Sequence, residues 1–207
     1  MHKTVKYTIF KTRWGYFGLA AADNALLRTC LPLSNPEKVK RRILTSFLGQ
    51  ESSIEHRESR IEFDKDLFKT VQNQITAYFE GNYVDFKNVP IAHCHSRESG
   101  NPDSVRVDFR NVPVVLNGLS EFTRRIFTAC RDIGFGQTIS YGRLAKLAGK
   151  SGSARAVGRA LAKNPLPLII PCHRVLCADG SLGGFSSPGG INLKKKMLKL
   201  EGANLLV

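Results

Sequence analysis

"TISYGRLAKLAGKSGSARAVGRALAKNP", residues 138–165, reads as two short helices, about 141–148 and 154–163, joined by the glycine-containing turn "GKSGS". That is the spacing of a helix-turn-helix. In the second helix Ala154, Val157, Ala160 and Leu161 recur at inward-facing positions, while Arg155 and Arg159 lie four apart on the outward face. Ala156, Gly158 and Ala162 leave that face nearly free of bulk, so its backbone can approach a groove closely. The same features also suit a solvated helix packed on its own domain, so the motif alone does not establish a nucleic-acid contact.

Directly downstream, "LPLIIPCHRVLC" (166–177) sets Cys172 between a proline and a histidine. Leu168, Ile169 and Ile170 predict a short buried strand whose ladder ends at Pro171, with the cysteine at its exit in a pocket wall. A free thiol has a pKa of about 8.5 and is only a few per cent ionised at neutral pH. A neighbouring imidazole within hydrogen-bond reach, directly or through a water, would lower that value. Adjacency does not guarantee reach, because neighbouring side chains of an extended strand diverge. The tail "INLKKKMLKLEG" (191–202) places Leu193, Met197 and Leu200 on one helical face and Glu201 in the last turn. A carboxylate is disfavoured at the negative end of a helix dipole, so Glu201 needs a partner or solvent. His173 would serve, giving a Cys-His-Glu relay.

The preceding 115 residues read as an amino-terminal α/β unit. "KYTIF", "YFGLAAA" and "ALLRTCLPL" form antiparallel strands. Helices follow at "NPEKVKRRILTSFLG", with Asn35 as cap and Pro36 at its first position, and at "DKDLFKTVQNQITAYFEG". The near-repeats "VDFKNVPI" (84–91) and "VDFRNVPV" (107–114) flank a polar segment near 92–106, consistent with an insertion that duplicated its flank. A helix at "SEFTRRIFTACRDIG" opens the second unit, 116–207, with a serine cap and Phe122, Ile126, Cys130 and Ile133 on its buried stripe.

Charge is uneven. From Gly118 onward there are 14 basic and 4 acidic residues, out of 31 and 17 in the whole chain, which favours a polyanionic partner. No stretch approaches the roughly 20 apolar residues of a membrane span, and the first residues lack a signal-peptide pattern, so a cytoplasmic location is expected. The five cysteines contain no CxxC pair and are expected as reduced thiols. A zinc site from His93, Cys94 and His95 with Cys30 is awkward, since adjacent ligands on an extended chain point apart.

Together "SYGRLA", "RAVGRALAKNP", "IIPCHRV" and "LKKKMLKLEGA" resemble the O(6)-alkylguanine-DNA alkyltransferases, densely so over 118–202. The resemblance implies a ribonuclease-H-like antiparallel sheet with helices, followed by a mostly helical, winged-helix-like domain. It implies irreversible, single-turnover transfer of an alkyl group from guanine O6 in duplex DNA to Cys172, after the nucleotide is flipped out, with no cofactor or metal. His173 would then be the water-mediated base, Glu201 its orienting carboxylate, and Tyr141 the proton donor to guanine N3. Asn164 would link the recognition helix to the cysteine, and Arg155 would fill the vacated stack. The DNA-facing set would be Tyr141, Ala154, Arg155, Ala156, Gly158 and Arg159, working from the minor groove with little sequence preference in a monomer. Phe185 stands where a tyrosine is common, and extra residues in "GGFSSPGGIN" leave the pocket roles of Ser186 and Gly189 open. A non-catalytic helix-turn-helix protein, either a lesion marker or a regulator, is the alternative. The intact cysteine argues against the former, and the lack of bulky base-reading side chains against the latter.

Overall fold

The computed structural model describes residues 4–48, 60–81 and 108–203. The first near-repeat, the segment near 92–106 and the triplet His93, Cys94 and His95 lie outside them. Strands β1 (Val5–Thr12), β2 (Gly15–Ala22) and β3 (Ala25–Leu33) pair antiparallel as expected. A three-residue strand, β4 (Ile61–Phe63), joins β1 in parallel, giving the order β3-β2-β1-β4. Sequence periodicity gave no sign of it, because three residues cannot establish an alternation.

The central strand β2 is buried on both faces. Phe17, Leu19 and Ala21 enter one core, while Ala20 enters another with Val5, Cys30, Val39, Ile43 and Leu44. Helix α1 (Pro36–Leu48) covers this second face. Asn35 Oδ1 accepts from the Glu37 and Lys38 amides at 2.8 and 3.4 Å, a cap worth about 1 kcal/mol. A Cβ at Gly18 would lie 2.5 Å from Val39 Cγ1, so this glycine sets how closely α1 approaches the sheet.

Helix α2 (Lys69–Glu80) begins five residues later than the sequence pattern suggests. The side-chain amide of Gln72 donates to Lys65 O and Leu67 O, both at 2.8 Å, and fixes the preceding segment as a separate turn. Phe68 ends that turn in the left-handed conformation, at φ 53°.

In the second half, α3 (Glu121–Arg131), α4 (Tyr141–Leu147) and α5 (Ala154–Ala162) pack together. Short strands β5 (Ile139–Ser140) and β6 (Val175–Leu176) pair in parallel, and α6 (Gly190–Leu200) closes the chain. Ser120 caps α3 and Ser140 caps α4 through their hydroxyls. The stripe Ile126, Cys130 and Ile133 is buried as expected, with Phe122 packed at its margin.

One apolar core runs across the boundary expected near residue 115, from Phe17, Leu19, Ile75 and Phe79 to Ile126, Val157, Leu166 and Met197. Its seam is also hydrogen-bonded. Leu26 N donates to Pro113 O and Val115 N to Leu26 O, each at 2.8 Å. Thr29 N and Oγ1 donate to Pro165 O and Pro167 O at 3.0 and 2.8 Å. The free edge of β3 is thereby fixed to the segment leaving α5. No helix among the described residues is long and apolar enough to cross a membrane.

Candidate active site

The segment before the cysteine is not a strand. Residues 166–170 form a tight turn, closed by Ile170 N to Leu166 O at 2.8 Å, with Leu168 buried at φ 77°. A left-handed leucine is costly and persists only where its surroundings hold it. Here the side chain is locked in the core, and the expected strand gives way to that packing. Pro171, at φ −79° and ψ 62°, is the centre of an inverse γ-turn, closed by Cys172 N to Ile170 O at 2.8 Å. A single 3₁₀ turn follows, Cys172–Arg174. This double turn sends successive side chains in different directions: Cys172 lines a cavity and His173 is buried in the core.

Behind the thiol lies a polar network. His173 Nε2 is 2.7 Å from Glu201 Oε1. Arg174 donates through Nε to Oε2 at 2.8 Å and through Nη2 to Oε1 at 3.0 Å, and its Nη1 donates to Ile133 O at 2.6 Å. Tyr78 OH donates to Oε1 at 2.8 Å and Gly136 N to Oε2 at 3.2 Å. Glu201 is buried, yet its pKa is held well below the usual carboxylate range, because the hydrogen bonds from His173 and Arg174 and the Arg174 charge outweigh its desolvation. His173 is displaced downward by burial, against the pull of Glu201, so it rests as neutral imidazole. Its Nδ1 is buried with no hydrogen-bond partner in the protein. No hydrogen bond joins the His173 imidazole to the Cys172 thiol.

The thiol has a different partner. Asn164, just beyond α5, donates through Nδ2 to Ile170 O at 2.8 Å and to Cys172 Sγ at 3.2 Å, while its Oδ1 accepts from Leu166 N at 3.0 Å. Burial pushes the Cys172 pKa up, opposed by the Asn164 bond and by the Lys194 charge. The resting sulfur is therefore a protonated thiol. This differs from the sequence expectation of an imidazole-lowered value, because desolvation was invisible there. Lys194 is fully buried, donates to Val175 O at 2.7 Å and to Leu182 O, and lies 5.8 Å from the Tyr141 ring centre. Burial lowers its pKa to about 8.

The cavity measures about 870 Å³. It gathers Cys172, Tyr141, Asn164, Ala154, Arg155 and Gly158 from the expected set, together with Phe185 and Ser186. Ala156 and Arg159 do not line it, and Arg159 is exposed. Gly189 also stays outside it and occupies the cap position of α6 at φ 94°. Sequence reasoning missed Tyr78, Gly136 and Lys194. Tyr78 sits on the apolar stripe of α2, Gly136 contributes only an amide, and Lys194 hides in a lysine run that looks solvated. Arg174 stands within the quoted motif, but its bidentate geometry had no signal. Among the described residues no group of three or more His, Cys, Asp or Glu could hold a metal ion.

A thiol set in a cavity wall, held by an amide and backed by a buried imidazole and carboxylate, is the arrangement of a protein suited to react through a cysteine. Comparison with known proteins narrows the class. Residues 121–203 match the family described as 6-O-methylguanine DNA methyltransferase, DNA binding domain. A methylated-DNA–protein-cysteine methyltransferase of Mycobacterium bovis is 33% identical over 159 residues, 77% of this chain and 80% of the relative. One from Methanothermobacter thermautotrophicus is 42% identical over 103 residues, which span 50% of this chain and only 56% of the relative. The crystal structure of Mycobacterium tuberculosis OGT in complex with DNA superposes with a TM-score of 0.63 at 28% identity, covering 95% of this chain and 92% of that one. The chain belongs to the methylated-DNA–protein-cysteine methyltransferase family.

Proposed function

We propose that the protein repairs alkylated duplex DNA by moving the alkyl group from guanine O6 to Cys172 Sγ, once per molecule. The observation that carries this reading is the cavity itself, where Sγ and the Tyr141 side chain share a wall with the small-residue face of α5. A base inside a duplex cannot present its O6 to a thiol, so it must be extruded, at a cost of a few kcal/mol. Phosphate contacts by the basic second half offset that cost without reading sequence.

The thiol proton leaves first. The buried Nδ1 of His173 accepts it through a bridging water, and Glu201, held in place by the Tyr78 hydroxyl, stabilises the imidazolium that results. The thiolate sits beside Asn164 Nδ2 and within the field of Lys194. It attacks the alkyl carbon, the C–O6 bond breaks, and the electron pair passes into the purine. Tyr141 donates a proton to N3 so that guanine leaves neutral. The resulting tyrosinate recovers its proton from the imidazolium through solvent, and the thioether remains.

Ala154, Arg155, Ala156, Gly158 and Arg159 meet the minor groove, with Arg155 filling the vacated stack. The two units meet near residue 115, the protein works as a monomer in the cytoplasm, and it needs no cofactor. Intact-mass measurement after incubation with methylated duplex tests this. One methyl on the Cys172 peptide and one equivalent of repair are expected; mass gain elsewhere, or turnover beyond one equivalent, would refute it.

A further inference from the structure

The cavity continues beyond the residues used above. It passes the end of α5 at Lys163 and reaches the amino-terminal sheet, where Arg28 of β3 and Arg42 of α1 line it together with Thr29 and Leu31. Arg28 is half-buried and Arg42 exposed. Neither guanidinium is matched with an acidic side chain or a hydrogen-bond acceptor among the described residues. With Arg155 and Lys163 they make four cations around one cavity whose lining, among the described residues, holds no Asp or Glu.

Two like charges converging at a concave surface repel each other, and a half-buried one has also given up hydration. Burial, and then the Arg42 charge, accordingly displace the pKa of Arg28 downward. An anion bridging the two relieves both penalties. The fork of arginine suits a phosphate oxygen pair. The placement is rigid, because Thr29, next to Arg28, is bonded through N and Oγ1 to Pro165 and Pro167, immediately after Asn164. The distance between the Arg28 backbone and the turn that carries the thiol is thus fixed by the seam between the two halves.

From this juxtaposition we infer that Arg28 and Arg42 form a phosphodiester clamp, through which the amino-terminal half grips the backbone of the same DNA that delivers the guanine. The inference rests on the repair reading above and adds a DNA contact outside the helix pair. The phosphates flanking the extruded nucleotide are the clamp's candidate ligands, since the backbone there is the part that rotates out of the duplex.

The test is the salt dependence of binding to a methylated duplex, comparing the parent with the double variant R28A/R42A. The slope of log K against log salt should become shallower by about 0.9 if the pair shares one phosphate, or about twice that if each holds its own. Affinity at low salt should fall roughly fivefold or more. The charge-preserving R28K/R42K should recover the slope but not all of the affinity, and equal urea midpoints would exclude a folding effect. A parent-level slope and affinity in R28A/R42A would overturn the clamp while leaving the repair reading intact. Failure of the parent to bind or repair duplex would remove both. An equal difference between parent and variant with poly-glutamate would assign the pair to an acidic peptide. An equal difference with inorganic phosphate alone would make it a small-anion site. Either result would overturn the proposal.

Discussion

Glu201→Gln isolates the role of one buried charge with little change in shape. In the parent, the Glu201 carboxylate accepts from His173, from Arg174 twice, from Tyr78 and from Gly136. The amide keeps one acceptor oxygen and replaces the other with a donor that faces Arg174 and Gly136. Arg174 is buried and remains charged, so its desolvation is no longer compensated. Breaking a buried pair from one side costs about 3–5 kcal/mol, and the retained oxygen places this variant near the lower figure. With a urea m-value of about 1–3 kcal/mol per M, the midpoint should fall by roughly 1–3 M. The pH dependence has a definite sign. Because the folded-state pKa of Glu201 is depressed, its contribution is fully present above the unfolded value of about 4.3 and is lost as pH falls below it. The gap between parent and E201Q should therefore persist from pH 7 to about pH 5, where the loss of support for His173 adds to it, and narrow below pH 4. His173, also depressed when folded, weakens the parent further as pH drops below about 6.5. Urea titrations at several pH values measure all of this. A loss below about 1 kcal/mol at pH 7, or a gap that fails to narrow below pH 4, would refute the assignment of Glu201 as the anion that neutralises Arg174.

Arg155→Ala should slow repair of paired lesions more than of unpaired ones in single-turnover assays under the proposed role of filling the vacated stack; equal slowing counts against that role. Gly183 has φ +63°, and a Cβ there would lie 3.2 Å from Tyr141 OH and Cys177 Sγ. Gly183→Ala should cut the transfer rate by about tenfold and cut it further for bulkier alkyl groups, read from rates on a methyl and a benzyl adduct. Since burial raises the Cys172 pKa, transfer should quicken as pH rises above 7. Lys194 loses its charge near pH 8 and with it its support of the thiolate, so Lys194→Met should move the rise to higher pH in a pH–rate profile.

The strands, the capped helices and the cysteine motif were legible because each has a local cause. Short apolar runs bounded by turn residues mark β1 to β3, Asn35 and Ser120 mark helix starts, and Gly81 ends α2. The turn at 166–170 was not legible, since a run of Leu and Ile satisfies a strand pattern, and only the packing of Leu168 selects the turn. The relay was half legible. Glu201 at a helix end called for a partner, but the positions of Tyr78, Arg174 and Gly136 around it depend on three elements meeting. The thiol's raised pKa follows from burial, which no spacing encodes. Lys194 shows the same limit from the other side, because a lysine in a basic run gives no sign that its helix turns it inward.

The bonds from Thr29 to Pro165 and Pro167, and the shared core beneath them, have a consequence for protein engineering. Chimaeras cut at residue 115 would part β3 from its receiving turn and leave apolar surface from each parent facing a stranger. Viable recombinants should inherit 25–33 and 164–170 from a single ancestor, so the crossover points that matter here follow the weld between the halves and not the midpoint of the chain.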